Sequence, residues 1–156
     1  MNALAVLSSQ ERLYEQSREE FEEIVRSLDS DEVRSMTQRP AKVIQRFKQF
    51  ELGEIGISTI TVSELQYGVA KSTYQEKNEV RLEQFLAPLE ILAYDDQTAA
   101  KVYGGIRFHL EKRGQPIGPL DLLIAAHAMS QDLTLITNND TEFRRITKLK
   151  IENWTK

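Results

Sequence analysis

Residues 55–70 read IGISTITVSELQYGVA, and how this stretch divides decides the fold. Ile55-Gly56-Ile57-Ser58-Thr59-Ile60 is short and rich in β-branched residues, the composition of a strand. From Thr61 the spacing changes, because Leu65 and Val69 stand four apart, so Thr61 opens a helix with both on its inner face. A strand running directly into a helix is half of a β-α-β unit.

Outward from this unit the alternation continues. Val80, Leu82, Phe85 and Leu86 mark a further helix stopped near Pro88, and Leu89-Glu90-Ile91-Leu92 reads as a strand. Asp95 or Asp96 caps the next helix, in which Ala99, Val102, Tyr103, Ile106 and Leu110 recur before Gly114. Pro119 suits the first position of another helix, apolar nearly all round through Ala128 and therefore buried. Leu133–Thr137 is a third strand and Leu149-Lys150-Ile151 a fourth. Upstream, Ala41, Val43, Ile44, Phe47 and Phe50 form a helix ended by Gly53. Strands separated by helices indicate an α/β domain with a mostly parallel sheet, in which ligands gather outside the carboxyl ends of the strands.

The first quarter differs. Residues 1–39 hold nine Asp or Glu against five Arg or Lys, out of 24 acids and 20 bases in the chain, so residues 40–156 carry fifteen of each. All of the net charge of −4 therefore lies in residues 1–39. Ser8 and Glu11 have capping-box spacing, and Leu13, Ser17, Phe21, Ile24, Val25 and Leu28 follow at helical intervals. This acidic helix is expected to cover the core or, less simply, to meet a partner. We place residues 1–37 in an atypical acidic N-terminal segment and 38–156 in the α/β domain.

Composition narrows the chemistry. With 156 residues, 40% hydrophobic and 28% charged, the chain matches one globular domain with a sizeable core. The absence of cysteine excludes disulfides, thiolate metal sites and cysteine nucleophiles. Two histidines are too few for an all-histidine metal centre. His127, on the apolar helix, is expected to be packed and hydrogen-bonded rather than catalytic, and His109 exposed. No run spans a bilayer and the start lacks a basic leader, so a cytoplasmic protein is the expectation.

Acids stand where this architecture would gather them. Glu64 falls in the first turn of the helix opened by Thr61, and Asp121 in the first turn after Gly118-Pro119. Asn139, Asp140 and Glu142 follow the Leu133–Thr137 strand. Carboxylates converging from several strand ends suit Mg²⁺, which takes oxygen ligands at about 2.0–2.1 Å. A cation so held polarises a phosphodiester and lowers the pKa of water. Each acid has a local alternative. Thr61-Val62-Ser63-Glu64 also has capping-box form, Asp121 gains from the helix dipole, and Asn139-Asp140 suits a turn with a cap. Arg144, Arg145, Lys148 and Lys150 form a basic cluster, either for phosphates or as solvated surface.

From about Gln38 to Trp154, the chain resembles a PIN-domain ribonuclease toxin of the VapC type. ISTITVSELQYGVAKS (57–72) matches the second acidic motif of that family, with Glu64 in a Ser-Glu-Leu-x-Tyr-Gly setting. PIGPLDLLIAAHA (116–128) matches the third, which puts Asp121 at the metal-binding aspartate. LTLITNNDTEF (133–143) resembles the last motif, with Asn139 where many relatives have Asp and Glu142 three residues on; IENW (151–154) resembles the usual ending. The resemblance implies a three-layer α/β/α fold and Mg²⁺-dependent cleavage of RNA, with Mn²⁺ as a substitute. It further implies a homodimer and a cognate antitoxin. Asp121 and Glu64 would be metal ligands, Glu142 an additional acid and Asn139 an orienting group. Arg107, Arg113, Arg144 and Arg145 would touch the RNA backbone.

The start departs from this pattern. Relatives begin with an apolar strand ending in Asp-Thr-Asn, whose aspartate is a metal ligand, and no such motif precedes Pro40 here. Either Leu4-Ala5-Val6-Leu7 supplies an altered first strand and sets Ser8 at the aspartate position, or that strand is replaced by the acidic helix. Without that aspartate the site is weakened. The alternative function is a catalytically degenerate PIN-like protein that binds an antitoxin or intact toxin subunits.

Overall fold

The computed structural model describes residues 5–7, 45–50, 54–94 and 97–154. In chain order its elements are β1 (Ala5–Leu7), β2 (Ile55–Ser58), α1 (Thr59–Ala70), α2 (Gln75–Leu86) and β3 (Glu90–Leu92). They continue with α3 (Gln97–Lys112), α4 (Pro119–Ser130), β4 (Thr134–Ile136), α5 (Asp140–Phe143) and β5 (Lys150–Glu152). The expected helix of residues 8–28 and the helix caps Asp95 and Asp96 lie outside the described residues. Of the helix expected after Ala41, residues 45–47 form a helical turn.

The five strands make one sheet in the order β3-β2-β1-β4-β5. β2 pairs with β3 and β4 with β5 in parallel, whereas β1 is antiparallel to both β2 and β4. Four strands thus point one way, as the α/β alternation requires, and β1 opposes them. An altered first strand does form, and it runs against its neighbours. Leu7 pairs with Ile55 and Thr134, at the amino ends of β2 and β4. Ser8 itself lies outside the described residues.

Two apolar clusters cover the two faces of the sheet, giving three layers. Ile106 and Leu110 of α3, Leu122, Ile124, Ala125, Ala126 and Ala128 of α4, Leu135 of β4 and Phe143 of α5 form one. Ile55 and Ile57 of β2, Leu89, Ile136 and Trp154 form the other, with Val62 and Leu65 of α1 and Phe85 and Leu86 of α2 against it. Successive residues Leu135 and Ile136 enter opposite clusters, as the two-residue strand repeat demands. Each fully buried Leu, Ile or Phe contributes about 1.5–3 kcal/mol of hydrophobic stabilisation.

The β2–α1 junction corrects the sequence reading. The strand stops at Ser58, which pairs with Leu92, the last residue of β3. With the ladder exhausted, Thr59 and Ile60 enter the helix instead of prolonging the strand. Ser58 caps it: its backbone is extended (φ −66°, ψ 139°), and its Oγ accepts the Ile60 N–H at 3.2 Å. Thr61 is therefore inside the helix and Glu64 one turn further along than expected, so the Thr61–Glu64 capping box does not form.

Candidate active site

The acids arise from three segments that leave the carboxyl ends of parallel strands or start a helix across them. Glu64 stands on α1, which follows β2 directly, and its side chain is exposed. Asp121 occupies the first turn of α4, where Pro119 removes a backbone donor that has no partner in a helix start. Glu142 lies in α5, immediately beyond β4.

Asp121 is half-buried at the mouth of an otherwise apolar helix. Its carboxyl pKa is pushed up to about 6, first by burial, then by the charge of Glu142 and a hydrogen bond with it, and then by the charge of Glu64. Two acids from other segments thus act on Asp121 through space. Glu142 is the stronger influence and Glu64 the weaker one, and both neighbouring charges disfavour the ionised form of Asp121. Among the described residues, no three acidic or histidine side chains are drawn together as a ready-made metal cage. The donor chemistry nevertheless fits a hard divalent cation: every candidate donor is a carboxylate oxygen, and a cation would offset the charge that raises the Asp121 pKa.

Local packing aims Asp121. A Cβ on Gly118 would stand 3.2 Å from Asp121 Oδ2, so glycine at this position leaves the carboxylate room to turn. The preceding loop is held by Arg145, whose guanidinium donates to Pro116 O at 3.2 Å. Sequence reasoning cast Arg145 as an RNA contact and missed this tether, which has no local signature.

Other expected residues divide. Asp140 is 6% exposed and turns into the protein, accepting from Arg144 Nε at 3.3 Å and Asn153 Nδ2 at 3.2 Å. Asn139 precedes α5 without a side-chain capping bond, and its N–H donates to Thr137 Oγ1 at 3.0 Å. Arg107 is engaged along its own helix with Glu111 at 2.8 Å and the Tyr103 hydroxyl at 3.2 Å. Arg113 is exposed just beyond α3. His127 is 1% exposed and hydrogen-bonded, as expected of a packed histidine; His109 is exposed, with Nδ1 2.7 Å from Gly105 O. Among the described residues no helix is long and apolar enough to cross a membrane.

Known proteins resemble this chain in sequence and fold. The sequence pattern of the PIN domain matches residues 24–149. The chain is 46% identical over 116 residues to a Haemophilus influenzae protein named ribonuclease VapC2, covering 74% of this chain and 86% of that one. It is 41% identical over 117 residues to the Shigella flexneri tRNA(fMet)-specific endonuclease VapC, covering 75% and 87%. Among solved structures, it resembles a chain of DNA-bound VapBC from Salmonella typhimurium with a TM-score of 0.71 at 40% identity, covering 78% of this chain and 91% of that one. With matches of this extent, the chain belongs to the PIN-domain family, among the ribonuclease toxins of the VapC type.

Proposed function

We propose that this chain is a metal-dependent endoribonuclease, the toxin of a toxin–antitoxin pair, working in the cytoplasm as a homodimer restrained by a cognate antitoxin. The observation that carries this reading is the electrostatic meeting of Asp121 with Glu142 and Glu64. The ribonuclease and endonuclease names of the relatives support RNA as the substrate, and the VapBC complexes support an antitoxin. The nuclease domain is residues 38–156, with the acidic segment 1–37 preceding it.

Asp121 and Glu64 would hold the cation, Mg²⁺ or Mn²⁺ in its place, with Glu142 as the additional acid. When bound, such an ion supplies Lewis acidity toward a phosphoryl oxygen and lowers the pKa of nearby water. Glu142, beside Asp121, would accept a proton from an attacking water. That water's oxygen bonds to phosphorus as one ester P–O bond breaks, and the proton taken from the water passes on to the leaving oxygen. Asn139 serves to orient water beside Glu142. Of the arginines, Arg113 and the largely exposed Arg144 are best set to meet RNA phosphates, with Arg107 and Arg145 available where their present partners release them.

The test is RNA cleavage by the purified protein with Mg²⁺ or Mn²⁺. Asp121→Ala should lower the rate by at least roughly a hundredfold. Equal activity in that variant, or none in the parent, rejects the proposal. A degenerate, binding-only protein is favoured by one feature: β1 consists of Ala5, Val6 and Leu7 and contributes no acid. For that reading, calorimetry should find no Mn²⁺ binding that depends on Asp121.

A further inference from the structure

The helices that carry Glu64 and Asp121 are joined at a second point, buried and away from the acids. Ser58 Oγ lies 2.9 Å from His127 Nδ1, with Ser58 fully buried and His127 1% exposed. The Gln131 amide nitrogen faces His127 Nε2 at 3.0 Å. With Nε2 accepting from Gln131, Nδ1 carries the proton and donates to Ser58 Oγ, which also accepts the Ile60 N–H. Tyr94, beyond β3, sets its ring edge-on to His127 with centroids 5.5 Å apart and donates its N–H to Thr59 Oγ1 at 3.2 Å. One buried polar knot therefore ties the start of α1, the exit of β3 and the last turn of α4.

The spacing gives this knot a consequence. Glu64 is six residues beyond Ser58, and His127 is six residues beyond Asp121. At 1.5 Å per residue each separation corresponds to about 9 Å of helix. The two helices thus form the sides of a frame, with Ser58–His127 as one rung and the Glu64–Asp121 pair as the other. Apolar packing between α1 and α4 is non-directional and tolerates sliding, whereas a buried hydrogen bond does not. Any slip of α1 along α4 would carry Glu64 past Asp121 by the same distance.

We propose that Ser58 and His127 are positioning residues for the acid centre: their hydrogen bond sets the register of α1 on α4 and so the separation of the Glu64 and Asp121 carboxylates. The role rests on the nuclease reading only for its effect on metal and RNA; the geometric claim stands apart from it.

Two measurements on the full chain separate these levels. In crystal structures without metal, His127→Leu should change the Glu64–Asp121 carboxylate separation by more than about 1 Å. His127→Asn should preserve it, because the asparagine amide nitrogen occupies the place of Nδ1. By calorimetry, His127→Leu should weaken Mn²⁺ binding by roughly tenfold, the scale of other supporting contacts around metal ligands, and His127→Asn should restore most of it. Thermal melts accompany each variant. Lower melting with unchanged carboxylate separation would make the bond merely stabilising and overturn the proposal. A changed separation in a protein whose Mn²⁺ binding ignores Asp121→Asn would instead overturn the nuclease reading and leave the joint standing. If His127→Leu does not fold, Ser58→Ala removes the same bond with a smaller change and is held to the same outcomes.

Discussion

Asp121 in the first turn of α4 lies within electrostatic reach of Glu142 in α5, and burial together with that neighbouring carboxylate pushes the Asp121 pKa up to about 6. An acid beside a second acid, with a third adding its field, is unfavourable when all are ionised. Proton or cation must offset that repulsion, and the fold tolerates it where a cation is useful.

The first prediction concerns stability against pH. The folded pKa of Asp121 is raised above its ordinary 3.8 to about 6, so the fold favours the neutral form. Its destabilising effect is absent below about pH 3.8, grows as pH rises through the window, and is fully present above about 6. Allowing for solvent screening of a half-buried group, Asp121→Asn should stabilise the metal-free protein at pH 7.5 by about 1 kcal/mol, or about 2–4 °C. At pH 4 the gain should vanish. Melting curves at the two pH values check this, and an equal shift at both would contradict it.

Binding of a divalent cation should expel the proton of Asp121. Mn²⁺ affinity is expected to rise with pH up to about 6 and then level, with net proton release near pH 5.5. Calorimetric titrations in buffers of different ionisation enthalpy measure that release directly. Heats independent of buffer would mean that the cation does not displace the Asp121 proton.

Gly118 offers a subtler probe. Its φ of −57° suits any residue, so Gly118→Ala introduces no backbone strain, but its new methyl would crowd Asp121 Oδ2 from 3.2 Å. RNA cleavage should drop on the order of tenfold through carboxylate misplacement, with melting shifted by no more than a few degrees. Unaltered kinetics would show that the carboxylate has slack on this side.

Thr61 predicts a gain. Its side chain is buried in α1, and its Oγ1 is the buried side-chain polar atom that lacks a hydrogen-bond partner among the described residues. Thr61→Val keeps the shape and deletes the unpaired hydroxyl, so stability should rise by about 1 kcal/mol, or about 2–4 °C, with cleavage unchanged. A loss of stability would reveal a water bonded there.

Much of this architecture was legible from local pattern. Pro119 at a helix start, the apolar length of α4 and the run before Thr137 each pointed to the right element, because capping and periodicity act within a few residues. Errors fell where a neighbour decides. Thr59 and Ile60 look like strand in isolation, but β3 ends opposite Ser58 and leaves them no ladder to join. Asp140 looks equivalent to Glu142 until Arg144 and Asn153 draw it inward.

Sequence alone determined the kinds of element, the three acidic motifs and the family they resemble, since these are written in residue type and short-range spacing. Only the tertiary structure decided that β1 runs against its neighbours, that Asp121 meets Glu142, and that Ser58 is bonded to His127. Those are relations between distant segments, set by how two apolar faces close over a sheet, and no window of local sequence contains both partners.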